Sequence, residues 1–156
     1  MVDVKRQAEH DKQHMIRPYE DRDLNDVLDV WNAATRLAHP FLDNVFLRDE
    51  RKAIAEVYLP MAETWVFILD TGVVGFIALL GDEVGGLYVA PDHHGQGIGR
   101  QLVDHARGLR GHLEVEVFKA NTLGRRFYDR YGFVLMKERI HEETGQPLLR
   151  LKWSGG

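Results

Sequence analysis

The 156-residue sequence contains no cysteine, which removes thiolate nucleophiles, disulfide frameworks and cysteine-based zinc sites together and fits a reducing compartment. It has no excess of positive charge. Twenty Lys and Arg stand against 24 Asp and Glu, a net charge of −4, so the electrostatic footprint of a general nucleic-acid binder is missing. It has no long apolar run either: Val73 to Leu80 falls far short of the roughly 20 residues of a membrane span, and the N-terminus lacks an apolar signal core. These absences predict a cytoplasmic protein without nucleic-acid or membrane partners. There is no internal repeat or low-complexity tract, and the length suits one domain that buries roughly two-thirds of its unfolded surface.

Residues 1–14 are charged and carry little to bury, so they read as a flexible N-terminal extension before a domain over 15–153. Ile16 to Pro18 makes a short strand. An acidic entry at Asp21 or Asp23 opens a helix whose Leu24, Val27, Leu28, Trp31 and Ala34 follow a helical stripe. A second helix is expected from near Asp49, with Ile54, Val57 and Tyr58 inward and a stop at Pro60. Three antiparallel strands follow in TWVFILD, VVGFIALL and Val84 to Ala90. A helix carrying Ile98, Leu102, Ala106 and Leu109 ends near Gly108, and Leu113 to Lys119 alternates as a strand with Glu114, Glu116 and Phe118 on one face. Asn121 caps a last helix with a Leu123, Phe127 and Tyr131 stripe, and a hairpin joins Phe133–Ile140 to Leu148–Trp153. The order β-α-α-β-β-β-α-β-α-β-β predicts an α+β fold, one mixed, mostly antiparallel sheet with helices on both faces. The Leu148–Trp153 strand is expected at the sheet edge, where a second copy could pair to form a homodimer.

Between the third of those strands and its helix lies LYVAPDHHGQGIGRQLV, with Gly95, Gly97 and Gly99 where a strand hands over to a helix. Backbone N–H groups converging there, with the helix N-terminus, cradle phosphate. A dinucleotide fingerprint fails at both registers, since Arg100 and Leu102 stand where the third glycine is needed, and a P-loop fails at Arg100-Gln101. Another diphosphate ligand is left.

The segment Val89-Ala90-Pro91 followed by HHGQGIGRQLV resembles the acyl-CoA-binding signature of GNAT-type N-acetyltransferases, and Asn121…Phe127-Tyr128…Gly132-Phe133 resembles their second block. The opening IRPYEDRDL and the element order are similar as well, so the resemblance spans residues 15–153. His94 departs from the pattern, standing where the family has Gln or Arg, and a contact from its side chain would be pH-dependent. The resemblance implies acetyl-CoA as co-substrate and an amine acceptor, either a small molecule or a protein lysine or N-terminus. It implies that the strand before the loop splays from Leu113–Lys119, that Leu87, Tyr88 and Val89 present backbone to pantetheine, and that the Val89 N–H faces the thioester oxygen. Gly95, Gln96, Gly97, Gly99 and Arg100 would hold the pyrophosphate, with His94, Ile98, Asn121, Gly124, Phe127 and Tyr128 beside the cofactor. Tyr128 would protonate the departing thiolate; the alternative is a boundary tyrosine with a half-buried ring.

Direct attack needs a neutral amine, so a carboxylate or water chain must take a proton. Glu116 is the candidate, with Glu114 second, and cover from Phe118 would raise its pKa; the alternative is a solvated polar strand face. His39 and Phe41, in the loop that in the family overhangs the acceptor, are candidate substrate contacts or a proline-stiffened turn plugging the core. Glu83 and Glu116 near the mouth suit a cationic amine. The histidines lack metal-ligand spacing, so no metal is expected. The rival reading is a non-catalytic CoA-sensing or interaction module; a small nucleotide-binding protein is a second.

Overall fold

The structure, a computed structural model, describes residues 15–154; the extension expected over 1–14 lies outside the described residues. The elements follow the predicted order: β1 (Ile16–Pro18), α1 (Leu24–Ala38), α2 (Asn44–Ala53), β2 (Glu63–Leu69), β3 (Gly72–Leu80), β4 (Glu83–Val89), α3 (Ile98–Leu109), β5 (His112–Phe118), α4 (Thr122–Tyr131), β6 (Val134–Ile140) and β7 (Pro147–Ser154). One seven-stranded sheet runs β1-β2-β3-β4-β5-β7-β6, antiparallel everywhere except at β4–β5.

Strand alternation divides the core into two layers. Val66 and Phe76, facing partners on β2 and β3, point to one side and bury against Val27, Val30 and Trp31 of α1 and Leu47 of α2. Phe67, Ile77, Leu113, Val115 and Val117 point to the other, where Ile98, Leu102, Val103 and Ala106 of α3 and Tyr128 of α4 meet them. β5 keeps its predicted period, with Leu113, Val115 and Val117 buried and Glu114, Glu116 and Phe118 only partly covered.

Four expectations are corrected. α2 begins at Asn44, not near Asp49, because the Asp43 carboxylate accepts the Phe46 N–H at 2.8 Å and caps the helix there. It continues through a π turn at Ile54–Tyr58 into a last turn containing Pro60. Proline has no N–H to give residue 56, and the wider turn accommodates it, rotating Val57 and Tyr58 out to solvent. α3 runs one residue past Gly108, and Leu109 is exposed. The Leu148–Trp153 strand is not an edge. β7 buries Leu148, Leu149 and Leu151 and so lies between β5 and β6, leaving the fully exposed β6 as the edge.

The entry to α1 is fixed by a buried carboxylate. Asp23 receives both Arg17 guanidinium arms at 2.7 and 2.8 Å and the Glu20 N–H at 2.9 Å, and these hold its carboxyl below the usual carboxylate range. That pair ties β1 to α1. Because the folded-state pKa is depressed, the contribution is present at neutral pH and disappears as pH falls through it. Asp23→Ala is expected to cost ~2–3 kcal/mol at pH 7, read as a lowered urea midpoint, since it strands a half-buried guanidinium. A shift equivalent to less than ~0.5 kcal/mol would mean that water replaces the pair.

Candidate active site

β4 and β5 pair at only two positions, Glu83 with Glu114 and Val84 with Val115, and then separate. β3 continues to hold β4 as far as Gly75–Val89, and the Ala90 N–H reaches the Val74 carbonyl at 2.8 Å. Because backbone direction alternates along a strand, Tyr88 bonds toward β3 while Leu87 and Val89 turn their backbone toward the gap. The expected pantetheine contact from Tyr88 is therefore corrected. Its ring packs beside Phe76 in the α1–α2 layer, and its backbone is committed to β3. Leu87 and Val89 face the gap as expected.

A 3₁₀ turn at Pro91–His93 leads to the glycine loop. Gly95 and Gly97 sit at φ +78° and +79°, a region that L side chains rarely adopt, so these two positions need glycine. Gly97 ends the loop without a side-chain cap, and the first N–H groups of α3 are left for a ligand. His94, though exposed, folds back along the chain: Nε2 donates to the Val89 carbonyl at 2.9 Å, fastening the loop to the end of β4. Ile98 is buried in the core below the loop, while Gln96 and Arg100 stay exposed. Gly99 lies under the Phe127 ring, where an added Cβ would come within 3.2 Å of it.

Asn121 caps α4, its Oδ1 accepting the Gly124 N–H at 2.9 Å. A Cβ on Gly124 would lie 2.5 Å from the Asn121 amide nitrogen, so this glycine makes room for the cap, and it lines the cavity. The predicted stripe of α4 is also displaced. Leu123 is exposed, and Tyr128 is the buried residue of the helix, edge-on to Phe127 and Phe133. The Tyr128 hydroxyl makes no side-chain or backbone hydrogen bond among the described residues, and burial pushes its pKa up, so it carries its proton throughout the neutral range.

A cavity of about 1010 Å³ runs from the glycine loop through the β4–β5 gap, past Tyr128, to the underside of α1 and α2. On that far side His39, Phe41, Phe118 and His141 form edge-on ring contacts with centroids 5.2–5.6 Å apart. His39 lines the cavity as a buried brace. The Asn121 Oδ1 is already used, so the amide nitrogen donates to His39 Nε2 at 3.2 Å, and Nδ1–H then donates to Thr35 Oγ1 at 3.1 Å. Burial lowers its pKa to about 4. Phe41 stays half-buried, edge-on to His39 and Phe118.

Glu116 is also corrected. Its carboxylate takes both arms of Arg139 at 2.8 Å, which holds its pKa below the usual range instead of raising it. Glu114 takes Arg150 at 2.7 Å and His112 at 2.8 Å, and Glu83 lies 3.4 Å from Arg150. The arginines come from β6 and β7, 23 and 36 residues beyond their partners, and no sequence spacing announces them. Glu50 is the carboxylate that sequence reading missed. Once α2 starts at Asn44, Phe46, Glu50 and Ile54 share one helical face, and a glutamate between two inward apolar residues is the signal.

The acetyltransferase (GNAT) domain model matches residues 60–135, from the end of the α2 segment into β6. A peptidyl-lysine N-acetyltransferase, YjaB, of Salmonella typhimurium is 34% identical over 119 residues, covering 76% of this chain and 81% of that protein. The chain belongs to the GNAT acetyltransferase family. YiaC of Escherichia coli K12, also a peptidyl-lysine N-acetyltransferase, is 29% identical over 89% of this chain and 96% of its own length. The solution structure of apo YjaB from Escherichia coli superimposes with a TM-score of 0.81 at 27% identity, covering 90% and 97% of the two chains. As a GNAT enzyme the protein transfers the acetyl group of acetyl-CoA to an amine, and the open β4–β5 gap with an uncapped helix start at one end fits that co-substrate.

Among the described residues no group of three or more His, Asp or Glu side chains is placed to hold a metal, and no helix is long and apolar enough to cross a membrane. His39 supplies a test of the bracing. Its folded pKa lies below the unfolded value near 6.5, so the native state resists protonation and stability falls as pH drops from about 6.5 toward 4. His39→Gln should flatten that part of the stability-against-pH curve by on the order of 3 kcal/mol, measured by urea unfolding at several pH values. Wild-type and variant slopes that coincide would show a His39 that is protonated without cost.

Proposed function

We propose that residues 15–153 form a cytoplasmic protein-lysine N-acetyltransferase in which the acceptor amine attacks acetyl-CoA directly, in a ternary complex and with no acyl-enzyme. The observation that carries it is the single cavity that joins the uncapped N-terminus of α3 to an aromatic chamber through the β4–β5 gap, with Tyr128 at the junction. Two reactants entering from opposite sides of the sheet meet there. The absence of cysteine supports direct transfer. The names of the relatives support lysine, as does the apolar lining contributed by Leu42, Phe46 and Phe118, which suits a four-carbon stem.

The co-substrate supplies a thioester carbonyl and a sulfur leaving group. Loop N–H groups around Gly95, Gly97 and Gly99, with Arg100, hold its pyrophosphate, and the Leu87 and Val89 backbone orients its arm along the open side of β4. The Val89 N–H meets the carbonyl oxygen as negative charge grows on it, a contact worth roughly 3–4 kcal/mol where one such donor is removed. Tyr128 keeps its proton because burial disfavours the phenolate, and it offers that proton to the departing sulfur; the same dry surroundings raise the thiol pKa, which keeps donor and acceptor matched.

Tyr128→Phe is expected to lower kcat for a lysine peptide by roughly 10²-fold or more while the Kd for acetyl-CoA changes less than about threefold. Unchanged turnover would remove Tyr128 from the proton donor's role. Thiol release from acetyl-CoA should depend on added amine, and no acetylated enzyme should accumulate without it. A chain that binds acetyl-CoA but releases no thiol with any amine would be a CoA-sensing module.

A further inference from the structure

Four carboxylates line the cavity: Glu50, Glu83, Asp104 and Glu116. Three of them are matched by arginine: Glu83 by Arg150 at 3.4 Å, Asp104 by Arg107 at 3.9 Å and Glu116 by Arg139 at 2.8 Å. Glu50 has no cation within 4.0 Å among the described residues, although it is half-buried on the face of α2 that carries Phe46 and Ile54 into the core. A carboxylate withdrawn from water without a partner costs free energy that a bound cation recovers. Its other neighbours do not offer one. Asp49 is beside it on α2, Glu143 faces it from the β6–β7 turn, Tyr58 follows on the same helical segment and Tyr88 comes from β4, while His39 and His141 complete the lining. The site is therefore net negative, with Glu50 the one of these carboxylates that lines the cavity.

We propose that Glu50 is the acceptor site's base: it anchors the incoming ammonium ion of the acceptor and removes one proton from its nitrogen. This rests on the acetyl-transfer reading above and adds the residue that prepares the amine. The balance is simple. The ammonium nitrogen gives one proton to the Glu50 carboxylate, which passes it to water. The freed lone pair forms the C–N bond, the C–S bond breaks, sulfur takes the proton held by Tyr128, and the second proton lost from nitrogen restores that tyrosine. The products are an N-acetyl amine, free CoA and one proton. Burial, Glu143 and Asp49 all push the Glu50 pKa up, which brings it nearer the working pH of a base.

The test compares the full-length protein with Glu50→Gln and Glu50→Asp on a lysine peptide and on a panel of small primary amines. For Glu50→Gln the expected result is a loss of roughly 10²-fold in kcat/KM for the amine, with the acid limb of its pH profile abolished. The thermal shift produced by acetyl-CoA should match the wild type, which shows that the fold and the other half of the site are intact. Glu50→Asp should keep the acid limb at a reduced rate, a pattern that a packing role would not produce. Glu50→Gln with wild-type kcat/KM and an unaltered acid limb on the best amine overturns the assignment and leaves acetyl transfer standing. A wild type that binds acetyl-CoA and acetylates no amine overturns both. If the peptide is refused and a small amine accepted, the same comparison on that amine decides Glu50, and lysine is lost as the acceptor.

Discussion

A seven-stranded sheet would ordinarily close β4 onto β5 along their length, and here it does so for two residue pairs only. Everything that can happen chemically depends on that incomplete closure. β5 is secured on its other side by seven pairs with β7, and β4 is secured by β3 with a bulge at Gly85, just beyond its last pair with β5, while the backbone between the two strands is left without a sheet partner. Backbone N–H and C=O groups left open in a cleft are a standing demand for a ligand that can bond like a strand. The two helical layers are on opposite faces of the sheet, and His39 of the α1 C-terminus touches Asn121 of the α4 cap across the end of the opening. That neutral imidazole, kept neutral by burial, braces the gap without introducing a charge beside it.

Much of this was legible in the sequence. β5 showed its faces by strict alternation, the glycine loop stood at a strand-to-helix junction, and the Asn121 cap and Tyr128 followed at the spacing of a helix. What escaped was set by contacts far apart in the chain. Nothing local to Leu148–Trp153 says that it is inserted between β5 and β6, and the same insertion delivers Arg150 to Glu114 and lets Arg139 reach Glu116. The predicted rise in the Glu116 pKa failed for that reason. Partial burial does push the carboxyl up, but a bidentate guanidinium outweighs it. Glu50 escaped for a local reason instead. A helix started at Asp49 puts residue 50 in a fraying first turn, whereas the Asp43 cap puts it mid-helix with Phe46 and Ile54 on its face.

His94 shows how a departure from a family pattern is absorbed. A Gln or Arg at that position has the length to reach outward, while the imidazole folds back and donates to the Val89 carbonyl. Val89 then has its carbonyl engaged and its N–H still directed to the gap, and the strand end is held from both sides, by His94 and by the Ala90–Val74 bond. The contact leaves the main-chain N–H groups at Gly95, Gly97 and the uncapped start of α3 free. The substitution therefore trades outward reach for a fastening between the glycine loop and the end of β4.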